Sequence, residues 1–353
     1  MFFKVKIIYS GIQRENYNPD RGRSFEYGNF YLTLKTLPGI EVIEYPFDPI
    51  IQIGRKRFNQ ELLDLVEKEK PDLFFAFMLS DELDPAVLNE IKRLTTSVAW
   101  FADDHWRLWN YSRYYAPHFT WNITTWSKAP AAYADYGIKN VIRSQWACNT
   151  NEWKPAEVVS QDIDVSFVGQ YNSSRGKIIE ELRKAGVNVW VRGWGWPEGR
   201  LSHAEIIQAF ARSKINLNFN TPPPLFNPRM FARIFFRRSL NKIVPSLRRL
   251  PQNISTWRHM SIPQIKARPF EILGSKAFLI SACADDVEHY YADGKEIVYY
   301  DGTIKDLVDK INYYLPREEE RRRIAEAGYE RTVKEHTYKI RFEQIFKIIG
   351  LNR

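Results

Sequence analysis

Cysteine is scarce in this 353-residue sequence: only Cys148 and Cys283 occur. They lie far apart and lack zinc or redox spacing, which excludes a disulfide framework and points to a reducing, cytoplasmic compartment. Long apolar runs are missing too, and no stretch approaches the roughly 20 apolar residues that cross a bilayer. The opening MFFKVKIIYS is interrupted by lysine and reads as a strand rather than a signal peptide. Low-complexity linkers and short internal repeats are also lacking. Acidic residues vanish over one long stretch. None lies between Glu205 and Glu271, where twelve basic residues fall: Arg212, Lys214, Arg229, Arg233, Arg237, Arg238, Lys242, Arg248, Arg249, Arg258, Lys266 and Arg268. The net charge is +9, so the rest of the chain carries −3 (9 − 12), and the basic character belongs to one region.

What is present is a globular composition, 44% hydrophobic and 26% charged, able to bury a core. The length fits two ordinary domains. Aromatic residues make up 15%, with 11 Trp, so some are expected to line a binding surface. Strand-like and helix-like segments alternate. Phe3–Tyr9, Glu41–Tyr45, Asp72–Met78, Ser97–Phe101 and Trp121–Thr125 read as strands, with helices over Gly28–Leu37, Asn59–Lys70 and Pro85–Leu94. Asp72–Met78 is continuously apolar, as a strand buried on both faces should be.

The second half repeats the pattern. Strands are expected at Asp164–Val168, Val187–Arg192, Ile215–Phe219, Phe278–Ser281 and Ile297–Tyr300. Helices are expected over Arg175–Ala185, Ala204–Ser213, Ile304–Leu315 and Glu318–Ile349, with another opening at Phe270. This rhythm predicts an α/β protein of two doubly wound, Rossmann-like domains facing across a cleft, joined near Asn149–Val159. The expected divisions are 1–155, 156–335 and a final helix over 336–353 that crosses back to the first domain. Residues 221–263 break the pattern. They open on Pro222, Pro223 and Pro224, and continue with apolar residues from Met230 to Ile243 interleaved with arginine. They read as an insertion in the second domain carrying an amphipathic helix.

Four motifs carry candidate chemistry. After the strand DVSFV, Gly169 lets the backbone approach a ligand, and Arg175 and Lys177 open the next helix, where free N–H groups attract anions. That suits a diphosphate cradle, or an ordinary turn with solvated bases. In KARPFEILG, Lys266 and Arg268 precede a helix with Glu271 in its first turn, where a carboxylate can accept ribose hydroxyls or merely complement the helix dipole. In WFADDHWRLW, Asp103, Asp104 and His105 follow a strand, where a base or hydroxyl-orienting group is placed in α/β folds, although helix capping competes. No second acidic cluster supports a metal there. In RGWGWPEG, Trp194 or Trp196 can stack on a base or sugar, or pack at the core edge. The basic stretch over 229–249 suits an anionic membrane surface before a solvated face, and nucleic acid last.

RPFEILGSKAFLIS, GKEIVYYDG and the closing AGYERTVKEHTY occur here in an order that resembles CgeB-type (spore-maturation-protein-like) glycosyltransferases, members of the GT-B superfamily. FVGQYNSSRGKIIEEL and KINLNF fit the same half, and WFADD resembles the first half more loosely. The resemblance implies metal-independent transfer, retaining rather than inverting, from a nucleotide-diphosphate sugar to a hydroxyl of a glycan or lipid-linked acceptor. It implies no bound cofactor. Glu271 matches the second glutamate of the superfamily's Glu-x7-Glu motif, the ribose contact, and Pro263 stands at the position of the first. On this reading Gly169, Arg175, Lys177, Trp194, Lys266, Arg268 and Glu271 bind the donor, while Asp103, Asp104 or His105 handles the acceptor. The competing reading is a nucleotide- or glycan-binding protein that keeps the fold without turnover. His336, near the chain's last helix, reads as structural.

Overall fold

The computed structural model describes residues 4–157, 160–222, 224 and 226–351. Phe3, Val159 and Pro223, named above, lie outside the described residues. Strands β1 (Val5–Ser10), β2 (Ile40–Glu44), β3 (Leu73–Met78), β4 (Thr96–Phe101), β5 (Trp121–Thr124) and β6 (Val141–Arg143) form one parallel sheet, ordered β2-β1-β3-β4-β5-β6. The chain continues with β7 (Ile163–Val168), β8 (Val189–Arg192) and β9 (Ser213–Asn218). It then makes an antiparallel hairpin of β10 (Phe236–Ser239) and β11 (Lys242–Pro245), and ends its strands with β12 (Leu279–Ala282) and β13 (Val298–Tyr300). The second parallel sheet is ordered β13-β12-β9-β7-β8.

The chain divides into two compact units. The first gathers residues 1–145, 225–260 and 338–353; the second holds 146–224 and 261–337. In the first, every residue of β3 is buried, as its unbroken apolar run requires. Phe30 is fully buried and meets Trp100 at 4.8 Å and Phe77 at 4.9 Å. The closing helix Tyr338–Ile348 belongs to this core: Tyr338 and Phe342 pack on Phe30 at 5.1 and 5.7 Å. The helix expected over Glu318–Ile349 is therefore two, Glu318–Glu335 and Tyr338–Ile348. Between them the His336 carbonyl accepts from the Cys148 N–H at 2.8 Å and Thr337 pairs with Cys148, which takes the backbone out of the helical ladder. In the second unit, Val165, Phe167, Ile215, Leu217 and Ile280 form the buried centre of the sheet. Its helices start where caps permit. Asn172 accepts from the Arg175 N–H, and Ser202 with Glu205 forms a full capping box.

The insertion departs from expectation twice. It lies within the second domain in sequence, yet residues 225–260 pack as part of the first unit. Nor is it one amphipathic helix. It contains a short helix Pro228–Ala232, the β10–β11 hairpin and a helix Leu250–His259. Leu240 turns the hairpin with φ 52°, Pro245 cannot continue a helix, and Pro251 is tolerated only because it falls in the first turn of Leu250–His259. Among the described residues, no helix is long and apolar enough to cross a membrane.

Candidate functional site

In doubly wound sheets, ligands bind beyond the strand C-termini where the strand order reverses. In the second unit that point lies between β7 and β9. Arg175 sits there. From the helix Ser173–Lys184 its guanidinium donates to the Gln170 carbonyl after β7 at 2.7 Å and to the Phe219 carbonyl after β9 at 3.5 Å. Burial, and then the charge of Arg268, push its pKa down, so a second positive charge stands close by. Lys177 does not join it. Two residues further along the helix it lies on another face, and it is exposed.

Arg268 and Glu271 open the helix Arg268–Gly274. Glu271 is buried, and its Oε2 takes the Arg268 guanidinium at 2.8 Å. Burial pushes the Glu271 pKa up, while Arg268 and His203 pull it back. The Arg268 guanidinium also lies 5.6 Å over Trp153 and 5.5 Å over Phe210. Trp153 meets His203 edge-on at 4.4 Å. Two cations and one buried carboxylate thus gather at the C-terminal edge of this sheet, an arrangement that suits phosphate beside a hydroxyl-bearing ring. Lys266 is half-buried, two residues before the same helix.

The glycine-bearing loops after β7 and β8 are stitched together. Gly169 N–H donates to the Arg192 carbonyl at 2.9 Å and Tyr171 N–H to the Trp194 carbonyl at 2.8 Å. Trp196 donates its indole N–H to the Gly169 carbonyl at 2.9 Å and is buried, so it packs as core. Trp194 is 51% exposed, with the Arg200 guanidinium 6.0 Å over its ring. Sequence reasoning misses the asparagines. Asn218 donates to Ser281 at 2.9 Å and Asn220 to the Ala282 carbonyl at 2.7 Å, both buried at the ends of β9 and β12. The alternating NLNFN is their only sequence signal.

In the first unit, Asp103, Asp104 and His105 follow β4 as expected, but they are not equivalent. Asp103 adopts φ 60° and lies within electrostatic reach of Arg233. His105 is buried and meets Trp106 edge-on. Asp104 has no exposed surface; Tyr133 donates to its Oδ2 at 3.0 Å. A carboxyl with no exposure does not reach an acceptor hydroxyl, so Asp104 braces the loop. Burial raises its pKa from the ordinary 3.8 to about 7. The folded state then holds a proton that the unfolded chain releases, and stability falls as pH rises from about 4 to 7. Desolvation raises half-buried Glu26 to about 7 as well, so the two act in one window. Asp104→Asn keeps an acceptor for Tyr133 and should flatten part of this decline. A Tm series from pH 5 to 8 should show the variant matching the parent at pH 5 and exceeding it by several degrees at pH 8. Equal slopes would place the raised pKa elsewhere.

A second acidic pair follows β3 and is not foreseen by the motif reading. Strand order in this sheet reverses between β1 and β3, so Ser80, Asp81 and Glu82 stand at its switch point. Asp81 Oδ2 takes Arg237 at 2.8 Å, Ser239 at 2.9 Å and Arg55 at 3.0 Å. Tyr17 donates to Glu82 at 2.5 Å. The sequence signal, LFFAFM followed by SDE, has the same form as AWF followed by DDH. Arg237, Arg238 and Arg249 of the insertion are committed here, to Asp81, to Asn16 and to the Asn110 carbonyl with the Tyr114 ring. Among the described residues, no group of three or more His, Cys, Asp or Glu could hold a metal ion.

Residues 175–347 match a family described as glycosyl transferase-like. No curated protein sequence matches the chain. Solved structures share its fold over nearly all of both chains. Anabaena HepE in complex with UDP is 10% identical with a TM-score of 0.55, covering 99% of this chain and 100% of that one. Sucrose-phosphate synthase from Thermosynechococcus elongatus is 8% identical with a TM-score of 0.60, at the same coverage. The lipopolysaccharide outer core galactosyltransferase WaaB is 10% identical with a TM-score of 0.56, again at 99% and 100%. The likeness is one of fold: the chain has the two Rossmann-like domains of GT-B proteins.

Proposed function

We propose that the chain is a CgeB-type glycosyltransferase, moving a sugar from a nucleotide-diphosphate sugar to a hydroxyl of a glycan or lipid-linked acceptor. One observation carries the reading. Arg175 spans the switch point of the second sheet, and the Arg268–Glu271 pair stands at the same edge, inside the stretch that matches a glycosyl transferase-like family. On this reading Arg175 and Arg268 neutralise the departing diphosphate, and Glu271 accepts from the ribose. Gly169 admits the backbone, and Trp194 offers a stacking face. In the first unit Asp103 or His105 orients the acceptor hydroxyl that attacks the anomeric carbon. The charge a metal would otherwise offset falls to arginines, which supports metal-independent chemistry; retention of configuration is what the family resemblance implies. Polysaccharide or lipopolysaccharide assembly at the inner face of a membrane is the setting that a basic, apolar-tipped insertion favours.

A second reading is a nucleotide-binding protein without turnover. It is favoured by Pro263, exposed where the superfamily's first motif glutamate would stand, and by Arg268 already occupying the Glu271 carboxylate. A thermal-shift panel of UDP-, GDP-, TDP- and CMP-sugars separates these readings. One donor should raise Tm by several degrees, and Glu271→Ala should abolish the shift. Slow release of free sugar from that donor marks a transferase. Binding without release supports the second reading, and a folded protein that no donor stabilises overturns both.

A further inference from the structure

The arginines of the insertion's hairpin keep exposed surface, but Arg237 and Arg238 have their head groups tied to other residues of the first unit. On a strand, alternate residues point to opposite faces. In β10, Arg237 and Ser239 reach inward to Asp81. Phe236 therefore lies on the other face, as do Ile243 and Pro245, the cross-strand partners of Arg238 and Phe236. Arg238 has its head group tied to Asn16. Beside these tied arginines stand exposed apolar side chains: Phe236 is 45% exposed, Ile243 79%, and Leu247, just past the hairpin, 59%. Lys242 and Arg248 are exposed beside them in sequence. A single exposed apolar side chain needs no explanation. Three within twelve residues, on a hairpin fixed by a buried carboxylate, in a stretch with no acidic residue from 206 to 270, do.

We propose that Phe236, Ile243 and Leu247 insert into the interface of an anionic lipid bilayer, with Lys242 and Arg248 meeting its headgroups. Apolar tips flanked by cations match such a surface twice, through burial and through charge. Nucleic acid would reward the cations and leave the tips in water. A second copy of the chain would bring the same positive charge against itself. The Asp81 clamp holds the hairpin in one orientation, so the tips present a fixed wedge rather than a helix that forms on contact. The inference deepens the reading of a transferase working at a membrane face, yet its test needs no donor sugar. Failure of the donor panel and failure of membrane docking are therefore separate results.

The test is flotation of the full chain with phosphatidylcholine vesicles, alone or containing roughly one-third phosphatidylglycerol. The protein should float with the anionic vesicles, dissociate at high salt, and stay in solution with neutral ones. Ile243→Asp with Leu247→Asp should reduce flotation at least about tenfold. Its melting curve should not change, because both side chains are exposed. Leu94→Asp, at a 53% exposed position on another face of the same unit, should float like the parent. Three results would overturn the proposal. The parent floats no better with anionic than neutral vesicles; the double variant floats like the parent; or no flotation occurs while the double variant breaks a dimer of the parent or abolishes its binding to duplex DNA.

Discussion

Arg268→Met should destabilise the second unit by about 3 kcal/mol, because it strands a buried carboxylate. Glu271 is 7% exposed at its side chain and Arg268 27%, so the pair is shielded from water on the acid's side. Without the arginine, only His203 opposes burial at Glu271, and its folded pKa climbs further. The loss is then full above the raised folded pKa that Glu271 has in the variant, and shrinks as pH falls through it and Glu271 takes a proton. Urea unfolding at pH 8 and pH 5 should show the larger deficit at pH 8. Arg268→Met with Glu271→Leu should recover most of the stability and none of the nucleotide-sugar binding. Recovery of both would reduce the pair to a packing element. A deficit independent of pH would show that Arg268 acts through its contacts with Trp153 and Phe210 instead.

Gly193→Ala should be at least as damaging, for a different reason. Gly193 has φ 141°, and a Cβ there would lie 2.1 Å from the Gly169 carbonyl oxygen and 2.6 Å from its carbon. Backbone cannot yield as a side chain can. The loops after β7 and β8 would have to part, breaking the Gly169-to-Arg192 and Tyr171-to-Trp194 bonds. A loss of about 3 kcal/mol is expected, from strain and lost hydrogen bonds together, with nucleotide stabilisation abolished. Gly169→Ala makes the informative contrast. Its Cβ would meet the Phe167 ring edge at 2.8 Å, a side-chain tip rather than backbone, so the clash is the smaller of the two. Thermal melts with and without donor should rank parent, Gly169→Ala and Gly193→Ala in that order. Equal losses would mean that the loop, rather than the close backbone approach, is what matters.

Much of the fold is legible in the sequence because its strands are short, apolar and separated by helices of distinct period. LFFAFM and DVSFV could hardly be anything else once flanked by capped helices. The placement of Arg175, Arg268 and Glu271 is legible for the same reason: strand ends and helix starts sit where the pattern changes. The insertion is harder to read. Met230 to Ile243 satisfies a helical stripe on paper, but helix period and hairpin alternation both tolerate FFRRS. What decides is a tertiary contact with Asp81, 156 residues away from Arg237. Asp104 shows the reverse case. Its position after β4 marks it as a base, and only burial reveals that it braces the loop. Nor does local sequence announce that Asn218 and Asn220 would be buried polar anchors, since surface asparagine looks the same.

The first unit draws on three separated stretches, 1–145, 225–260 and 338–353. A ribosome has therefore made every residue of the second unit before it makes the helix that carries Tyr338 and Phe342. Until then Phe30 and Phe75 lack those rings. During synthesis the half that starts first is finished last. A nascent chain stalled before Tyr338 should therefore be cut by protease within its first unit under conditions where the released chain resists.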